Sequence, residues 1–211
     1  ITDRKIAEKA LQDHVVRQER IVALSTALSS SVDLNTIFQT AEHYLSQMIE
    51  YDAFAISLLE DNVIHAEYIS HHGRKIKTNL LPSREIDTGI EDSGRIIAIK
   101  TMKTYVGEKL TWQDSACNDL LLGFEEIMKS GMYIPMMAEG KIIGTLDILS
   151  VVENKYHEKD TNWIDIVANL IALNIQNGKL FSHATRQLAD LAALHAIDSA
   201  VTTSHSKDEI L

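Results

Sequence analysis

The chain has 211 residues, 45% of them hydrophobic, and its 30 acidic and 20 basic residues give a formal net charge of −10. This length and apolar content suit one buried core with extensions, and the negative charge disfavours nucleic acids and anionic lipid as partners. The single cysteine, Cys117, excludes an internal disulfide and an all-cysteine metal site.

No stretch of the sequence is apolar enough to predict a membrane span. The best candidate, Trp163 to Ile175, is interrupted by Asp165, Asn169 and Asn174, whereas a spanning helix needs about 20 apolar residues. The N-terminal segment alternates charged and apolar side chains and lacks the pattern of a signal peptide. We therefore expect a soluble, cytoplasmic protein without membrane insertion.

The sequence begins with helix, because its first part contains neither proline nor glycine. Apolar residues at three- and four-residue spacing run from Leu11 to Leu28. The serine run 29–31 interrupts this pattern, and Asp33 is the predicted N-cap of a second helix over 33–49. That helix has one apolar face, which we expect to pack on a sheet.

The period of the pattern changes after the second helix. Residues 52–60 and 62–70 predict two strands joined by a tight turn, because β-branched and aromatic residues are interleaved with polar ones. A short amphipathic helix is predicted over 92–103, with Asp92 or Ser93 as its N-cap.

The second half of the sequence contains the clearest strand signal. Residues 104–108 are a candidate short strand, and 111–131 predict a loop followed by a helix. Residues 132–151 then predict two strands around a turn at Gly140.

A long final helix is predicted from about Glu158 to about Thr203, and Gly178 is its one weak point. Unbroken, it would extend for roughly 65 Å, and the sequence leaves open whether it is continuous or kinked at Gly178. Its distal half either folds back on its own domain or pairs with a partner helix in a homodimer, which is the interpretation we favour. The predicted dimer seam consists of Leu180, Ala184, Leu188, Leu191 and Leu194.

An internal repeat suggests how the chain is organised. Segment 21–38 aligns with 194–211, and both contain a helix, a serine- and threonine-rich break and the start of a new helix. We therefore expect an N-terminal helical connector over 1–30, a domain over 31–181, and over 182–211 a C-terminal connector with the beginning of a second, truncated module.

Two segments resemble the GAF domain family. They are the hairpin MYIPMMAEGKIIGTLDILS at 132–150 and the helical ending YHEKDTNWIDIVANLIALNIQNGKLF at 156–181, and the helix IEDSGRIIAIKTMKTYVGE is also similar to the family pattern. The resemblance covers about 22–181. It implies an α+β fold, a GAF/PAS-like antiparallel sheet with helices on both faces, flanked by long N- and C-terminal signalling helices.

The resemblance also implies a sensory role in signal transduction. Such a module binds a small molecule under the segment 91–131, relays the signal through paired flanking helices to an output domain, and is not itself an enzyme. The parent protein would carry a histidine kinase or a cyclic-dinucleotide output domain, and no cofactor is specified. A ligand-free module for dimerisation and relay is the alternative. From fold position, the predicted ligand-binding residues are Tyr68, Arg95, Trp112, Asp114 and Tyr133.

Cys117 is the residue that would attach a bilin chromophore in some family members. Asn118 follows it, where bilin-binding members have a histidine, so a partly buried structural cysteine is the favoured interpretation. Free-methionine-sulfoxide reductases share the fold, but their chemistry passes through several cysteines to form a disulfide, and this sequence has one.

The stretch from Asn154 to Thr161 is similar to the NKFDE signature of cyclic-nucleotide-binding members, with tyrosine for phenylalanine and threonine for glutamate. A structural role is the alternative, in which Asp160 caps the terminal helix, Tyr156 packs on the sheet and Lys155 pairs with Asp160.

The histidines of the chain are predicted to be structural or solvated. His183 lies in a helix, as the phosphoacceptor of sensor kinases does, but the glutamate and proline that follow in that family are absent. His71 and His72 lie near His65, yet neighbours in a strand point to opposite faces, so we predict no metal site.

Overall fold

The computed structural model describes residues 2–81, 83–86, 93–110, 126–158 and 161–208. These residues form an antiparallel sheet with helices on both faces, as predicted. No helix among them combines the length and apolar character required to cross a membrane.

Most described elements begin and end close to the predicted positions. The loop and helix predicted over 111–131 lie largely outside the described residues, and the described part, 126–131, is not helical and includes the start of β6. The helices are α1 (Thr2–Ser29), α2 (Leu34–Ser46), α3 (Gly94–Thr101) and α4 (Thr161–Asp208), and a 3-10 turn covers Thr78–Leu80. The strands are β1 (Ala53–Glu60), β2 (Val63–His71), β3 (Arg74–Lys75), β4 (Arg84–Glu85), β5 (Tyr105–Gly107), β6 (Ser130–Ala138) and β7 (Lys141–Ser150).

The sheet is built on the two predicted hairpins. Its strand order is β3-β2-β1-β7-β6-β5, and β4 also pairs with β2. Asp61 and Asn62 in one turn, and Glu139 and Gly140 in the other, all have positive φ. Two successive left-handed residues give the tight turns whose twist matches that of antiparallel strands, so both connections follow from their turn residues.

One face of the sheet carries the main core. Alternate strand residues such as Phe54 and Ile148 meet the buried faces of α1, α2 and α4. The predicted N-cap of α2 is confirmed, since the Asp33 carboxylate accepts a hydrogen bond from the Thr36 amide at 2.8 Å. Apolar burial against these three helices supplies most of the stabilisation of the fold.

The other face of the sheet is covered by α3. Ile96 and Ile99 of this helix lie in a small cluster with Ile64, and its first residue, Gly94, lies against Tyr133 of β6. A Cβ at Gly94 would be 2.4 Å from the Tyr133 ring, so glycine is what allows α3 to approach the strand so closely.

The terminal helix α4 is a single helix of 48 residues. It runs through Gly178, which answers the question that the sequence left open. A Cβ at Gly178 would be 2.7 Å from the carbonyl oxygen of Val32, so this glycine lets α4 pass the α1–α2 connection. The 30 residues from Lys179 to Asp208 would extend about 45 Å past that point, and the described side chains from Leu180 to His195 are exposed.

Candidate functional site

A row of buried polar residues lies on the α3 face of the sheet. Strand alternation directs Leu146 and Ile148 of β7 into the main core and therefore directs Thr145 and Asp147 to the opposite face. Ser57 of β1 pairs directly with Thr145. The side chains of Ser57, Thr145 and Asp147 are completely buried.

A buried ion pair fixes one side of this row. The Arg95 guanidinium of α3 donates from Nε to Oδ2 of Asp147 at 2.9 Å, and one of its terminal nitrogens lies 2.7 Å from the same oxygen. Burial raises the pKa of Asp147, while the charge of Arg95 and the nearby Thr145 hydroxyl oppose the rise. The ion pair also ties α3 to the centre of the sheet.

Three oxygens in this row have no hydrogen-bond partner among the described residues. They are Ser57 Oγ, Thr145 Oγ1 and Asp147 Oδ1. A buried polar atom without a partner costs about 1–3 kcal/mol, and such atoms are rare in folded proteins. Three such oxygens at neighbouring positions on one face of the sheet indicate a buried site that could hydrogen-bond a polar molecule. We call Ser57, Arg95, Thr145 and Asp147 the polar row.

Aromatic side chains border the polar row. Tyr133 of β6 pairs directly with Asp147 and is 1% exposed, and its ring centroid lies 6.2 Å from that of Tyr105 on β5. A surface that combines aromatic rings with a few buried polar groups is typical of small-molecule sites.

Two of the five predicted ligand-binding residues, Arg95 and Tyr133, come together here. Tyr68 does not, because it pairs with Ile56 and lies in the main core on the opposite face. Trp112 and Asp114 lie outside the described residues, as does Cys117.

Tyr68 instead belongs to a separate cleft between α2 and the end of β2, with a volume of about 520 Å³. Its hydroxyl and that of Ser70 both donate to the Glu42 carboxylate. Burial raises the pKa of Tyr68, and its bond to Glu42 acts in the same direction. Since Glu42 accepts both hydroxyls, this cleft has a satisfied polar wall.

The sequence carries a signal of the polar row. Ser57, Thr145 and Asp147 are polar residues inside otherwise apolar strands, and Thr145 and Asp147 have the two-residue spacing of one strand face. Strands with one solvent-exposed face show the same alternation. The pattern alone therefore does not distinguish a buried row of polar residues from a solvent-exposed sheet face.

The prediction that His71 and His72 point to opposite faces is wrong. His72 follows the last residue of β2 and has φ of 48°, so strand alternation ends before it. The two imidazole centroids lie 4.3 Å apart, and Glu126 is beside both of them. His65 lies elsewhere, with Nδ1 2.6 Å from Ser83 Oγ.

The segment similar to the cyclic-nucleotide signature has structural contacts. Tyr156 is buried in the main core, as predicted, and its hydroxyl donates to the Glu50 carbonyl at 3.0 Å. Lys155 Nζ lies 3.3 Å from a Glu50 carboxylate oxygen, whereas its predicted partner Asp160 is outside the described residues.

The predicted dimer seam is accessible along α4. Its leucines expose 59–67% of their surface, and Ala184 is also exposed. His183 is an exposed residue of the same helix, in agreement with a solvated histidine. The seam residues are Leu180, Ala184, Leu188, Leu191 and Leu194.

Comparisons with known proteins point to one family. The family model described as GAF domain matches residues 33–175. No curated protein matches the chain in sequence. Among solved structures, the GAF domain of an Acinetobacter phosphoenolpyruvate-protein phosphotransferase is similar with a TM-score of 0.61 at 12% identity, over 80% of this chain and 98% of that one.

Two further structures share the fold. Free methionine-R-sulfoxide reductase from Neisseria meningitidis, in complex with its substrate, has a TM-score of 0.60 at 14% identity, over 79% of this chain and 92% of that one. The GAF domain of a two-component sensor histidine kinase from Bacillus halodurans has a TM-score of 0.52 at 18% identity, over 72% and 99%. At these identities the likeness concerns the fold.

Proposed function

The chain belongs to the GAF domain family, and from this premise we propose that it is a regulatory module of a signalling protein, which binds a small polar molecule on the polar row. The one observation that carries this proposal is the set of three buried oxygens, on Ser57, Thr145 and Asp147, without partners among the described residues. A ligand that satisfies them recovers free energy that the protein alone does not.

The chemistry of the polar row defines the class of ligand. Oδ1 of Asp147 accepts but does not donate while the carboxyl is ionised, and the two hydroxyls both donate and accept. Arg95 neutralises the carboxylate from one side. We infer that the ligand is a small polar molecule that presents at least one N–H or O–H donor to Asp147, with an apolar or planar part against Tyr133.

The strand geometry offers a route from this site to the output. Asp147 lies between Leu146 and Ile148, whose side chains pack in the core that also contains Ile171 and Ile175 of α4. A ligand that shifts β7 would change the packing of α4 and favour one arrangement of the paired helices. We propose residues 1–30 and 182–211 as the connectors that carry this change in a cytoplasmic homodimer.

We propose a non-enzymatic role for this sequence. The reductase with the same fold is named as an enzyme, and the family's reductase chemistry requires several cysteines, whereas Cys117 is the only cysteine here. A GAF module of a sensor histidine kinase is similar in fold, and the long α4 suits a connector to such an output. The second candidate function is a ligand-free dimerisation and relay element, which the exposed leucines of α4 favour.

Thermal unfolding with a ligand panel tests the proposal. The panel contains amino acids, small acids and cyclic nucleotides, and a binding molecule raises the midpoint in a concentration-dependent way. Thr145→Val and Ser57→Ala should both abolish that rise. Ser57→Ala should do so without lowering the stability of the ligand-free protein, because it removes a buried oxygen that has no described partner.

Ser130→Ala is the matched control. Its hydroxyl is buried on the same sheet and donates to the Val152 carbonyl at 2.7 Å, so the variant should be less stable and keep the ligand response. If no panel member shifts the midpoint of the wild-type protein, the ligand-free alternative is favoured. A shift that survives in Thr145→Val and Ser57→Ala would place the ligand elsewhere.

A further inference from the structure

A cluster of metal-ligating side chains that does not include the polar row lies where β2 ends. His71, His72 and Glu126 each bring a ligand atom within 4.8 Å of the others. His72 Nε2 lies 3.0 Å from Glu126 Oε2, and His71 Nε2 lies 3.6 Å from the same oxygen. We propose that these three residues form a binding site for a zinc-class divalent transition metal ion.

The dimensions of the cluster fit such an ion. Zinc binds imidazole nitrogen and carboxylate oxygen at about 2.0–2.2 Å in tetrahedral geometry, which places neighbouring ligand atoms about 3.3–3.5 Å apart. The two separations from Glu126 Oε2 bracket this distance. Two imidazole nitrogens and one carboxylate oxygen form a set that suits zinc and leaves a fourth position for water, and the side chains of His72 and Glu126 are about half exposed.

The backbone holds the two histidines in place. The His72 amide donates to the Asp52 carbonyl at 2.8 Å, and both His72 and Gly73 have positive φ. This left-handed pair turns His72 back beside His71 instead of across the strand. The turn is thus anchored to Asp52, the residue before β1, and its backbone places the two imidazoles side by side.

Glu126 is positioned by the segment that leads into β6. Two residues later, Met128 is completely buried beside Ala53 and Leu149, and the Lys129 amide donates to the Ser150 carbonyl at 2.7 Å. These contacts hold the chain that enters β6 against the ends of β1 and β7. A bound metal ion would therefore link the segment before β6 to the end of β2.

A carboxylate behind the site supports the role of His72 as a ligand. Asp52 Oδ1 lies 4.0 Å from His72 Nδ1, while Oδ2 accepts hydrogen bonds from the Ser150 hydroxyl at 2.6 Å and the Val151 amide at 2.8 Å. A carboxylate facing one imidazole nitrogen favours the proton there and leaves the other nitrogen to bind metal. A small rotation of His72 would complete this arrangement.

The test is a titration of the tag-free, chelator-treated chain with Zn²⁺ alone by isothermal calorimetry. We expect one ion per chain, and at least tenfold weaker binding in Glu126→Gln and in His72→Gln, since even outer partners of metal ligands contribute about 10–100-fold. Both residues are exposed, so both variants should fold, and far-UV circular dichroism checks this.

The control is His157→Gln. His157 Nδ1 lies 3.2 Å from a Glu108 oxygen, which makes an exposed histidine–glutamate pair outside the cluster. This variant should bind Zn²⁺ like the wild type, and Co²⁺ should give visible absorption bands in both that are lost in Glu126→Gln. Absence of stoichiometric binding, unchanged affinity in the two ligand variants, or an equal loss in His157→Gln would show that the cluster is only an ion pair.

Discussion

At the scale of single residues, the buried pair of Arg95 and Asp147 joins α3 to the sheet. We expect Arg95→Met to lower the free energy of unfolding by about 3–5 kcal/mol, because it leaves an uncompensated charge in a fully buried position. The double variant Arg95→Met with Asp147→Leu should recover most of that loss, since replacing both ions by apolar groups is often neutral. Urea denaturation of the wild type and the variants measures both values. A double variant as unstable as Arg95→Met would contradict this account.

The residue scale also shows what the sequence could not predict about the site. Fold position alone predicts Arg95, which belongs to the polar row, and Tyr133, which borders it. Fold position also predicts Tyr68, but the β1–β2 register shifts between Ile56 and Ser57. An irregularity of this kind reverses which residues face each side. It has no clear sequence signal, so the placement of Tyr68 required the structure.

At the scale of elements, a substitution of Gly178 should change the stability in the direction opposite to the usual one. In an exposed helix, glycine to alanine stabilises by about 1 kcal/mol. In α4, however, the added methyl group would be 2.7 Å from the backbone oxygen of Val32 and 3.2 Å from Leu34. We therefore expect Gly178→Ala to destabilise the protein by about 1–3 kcal/mol, as overpacking does. Asn177→Ala, at the exposed neighbouring position, is the control and should be neutral or stabilising in thermal unfolding. Equal changes in stability from the two substitutions would refute the close approach of α4 to the α1–α2 connection.

The start of α2 provides a prediction about pH. Bonds from the Thr36 hydroxyl and amide lower the pKa of Asp33 below its usual 3.8. A carboxyl group with a lowered pKa in the folded state stabilises above its unfolded pKa, and this contribution is lost as the pH falls through the folded value. Asp33→Ala should therefore lower the melting temperature at neutral pH, and its difference from the wild type should shrink in the acid range.

Asp33→Ser is the matched control for that cap, because its hydroxyl accepts from the same amide without a charge. The melting temperature of Asp33→Ser should stay above that of Asp33→Ala at acid pH. A difference between the wild type and Asp33→Ala that stays constant down to the lowest pH at which the protein folds would argue against a charged cap.

At the scale of the whole molecule, local signals predict the separate elements, whereas the sheet with helices on both faces follows from the resemblance to the GAF family. The two hairpins follow from their turn residues, and α2 follows from its cap and its apolar face. Contacts between distant segments were not predictable in this way. The pairing of Arg95 with Asp147, and the meeting of His71 and His72 with Glu126, join elements whose relative positions depend on the packing of the complete sheet.

The last prediction concerns assembly. The exposed leucines of α4 repeat at three- and four-residue spacing, which is typical of a helix that pairs with another, and burying one leucine side chain contributes about 1.5–3 kcal/mol. We expect the chain to be a dimer in size-exclusion chromatography with light scattering at high micromolar concentration. Leu188→Asp combined with Leu191→Asp should make it monomeric, because two apolar contacts per helix are lost and like charges face each other. Val152→Asp is the control, since Val152 is 54% exposed and lies after β7, outside α4, and this variant should remain dimeric. A monomeric wild type, or a dimer that survives in the double variant, would refute the predicted seam.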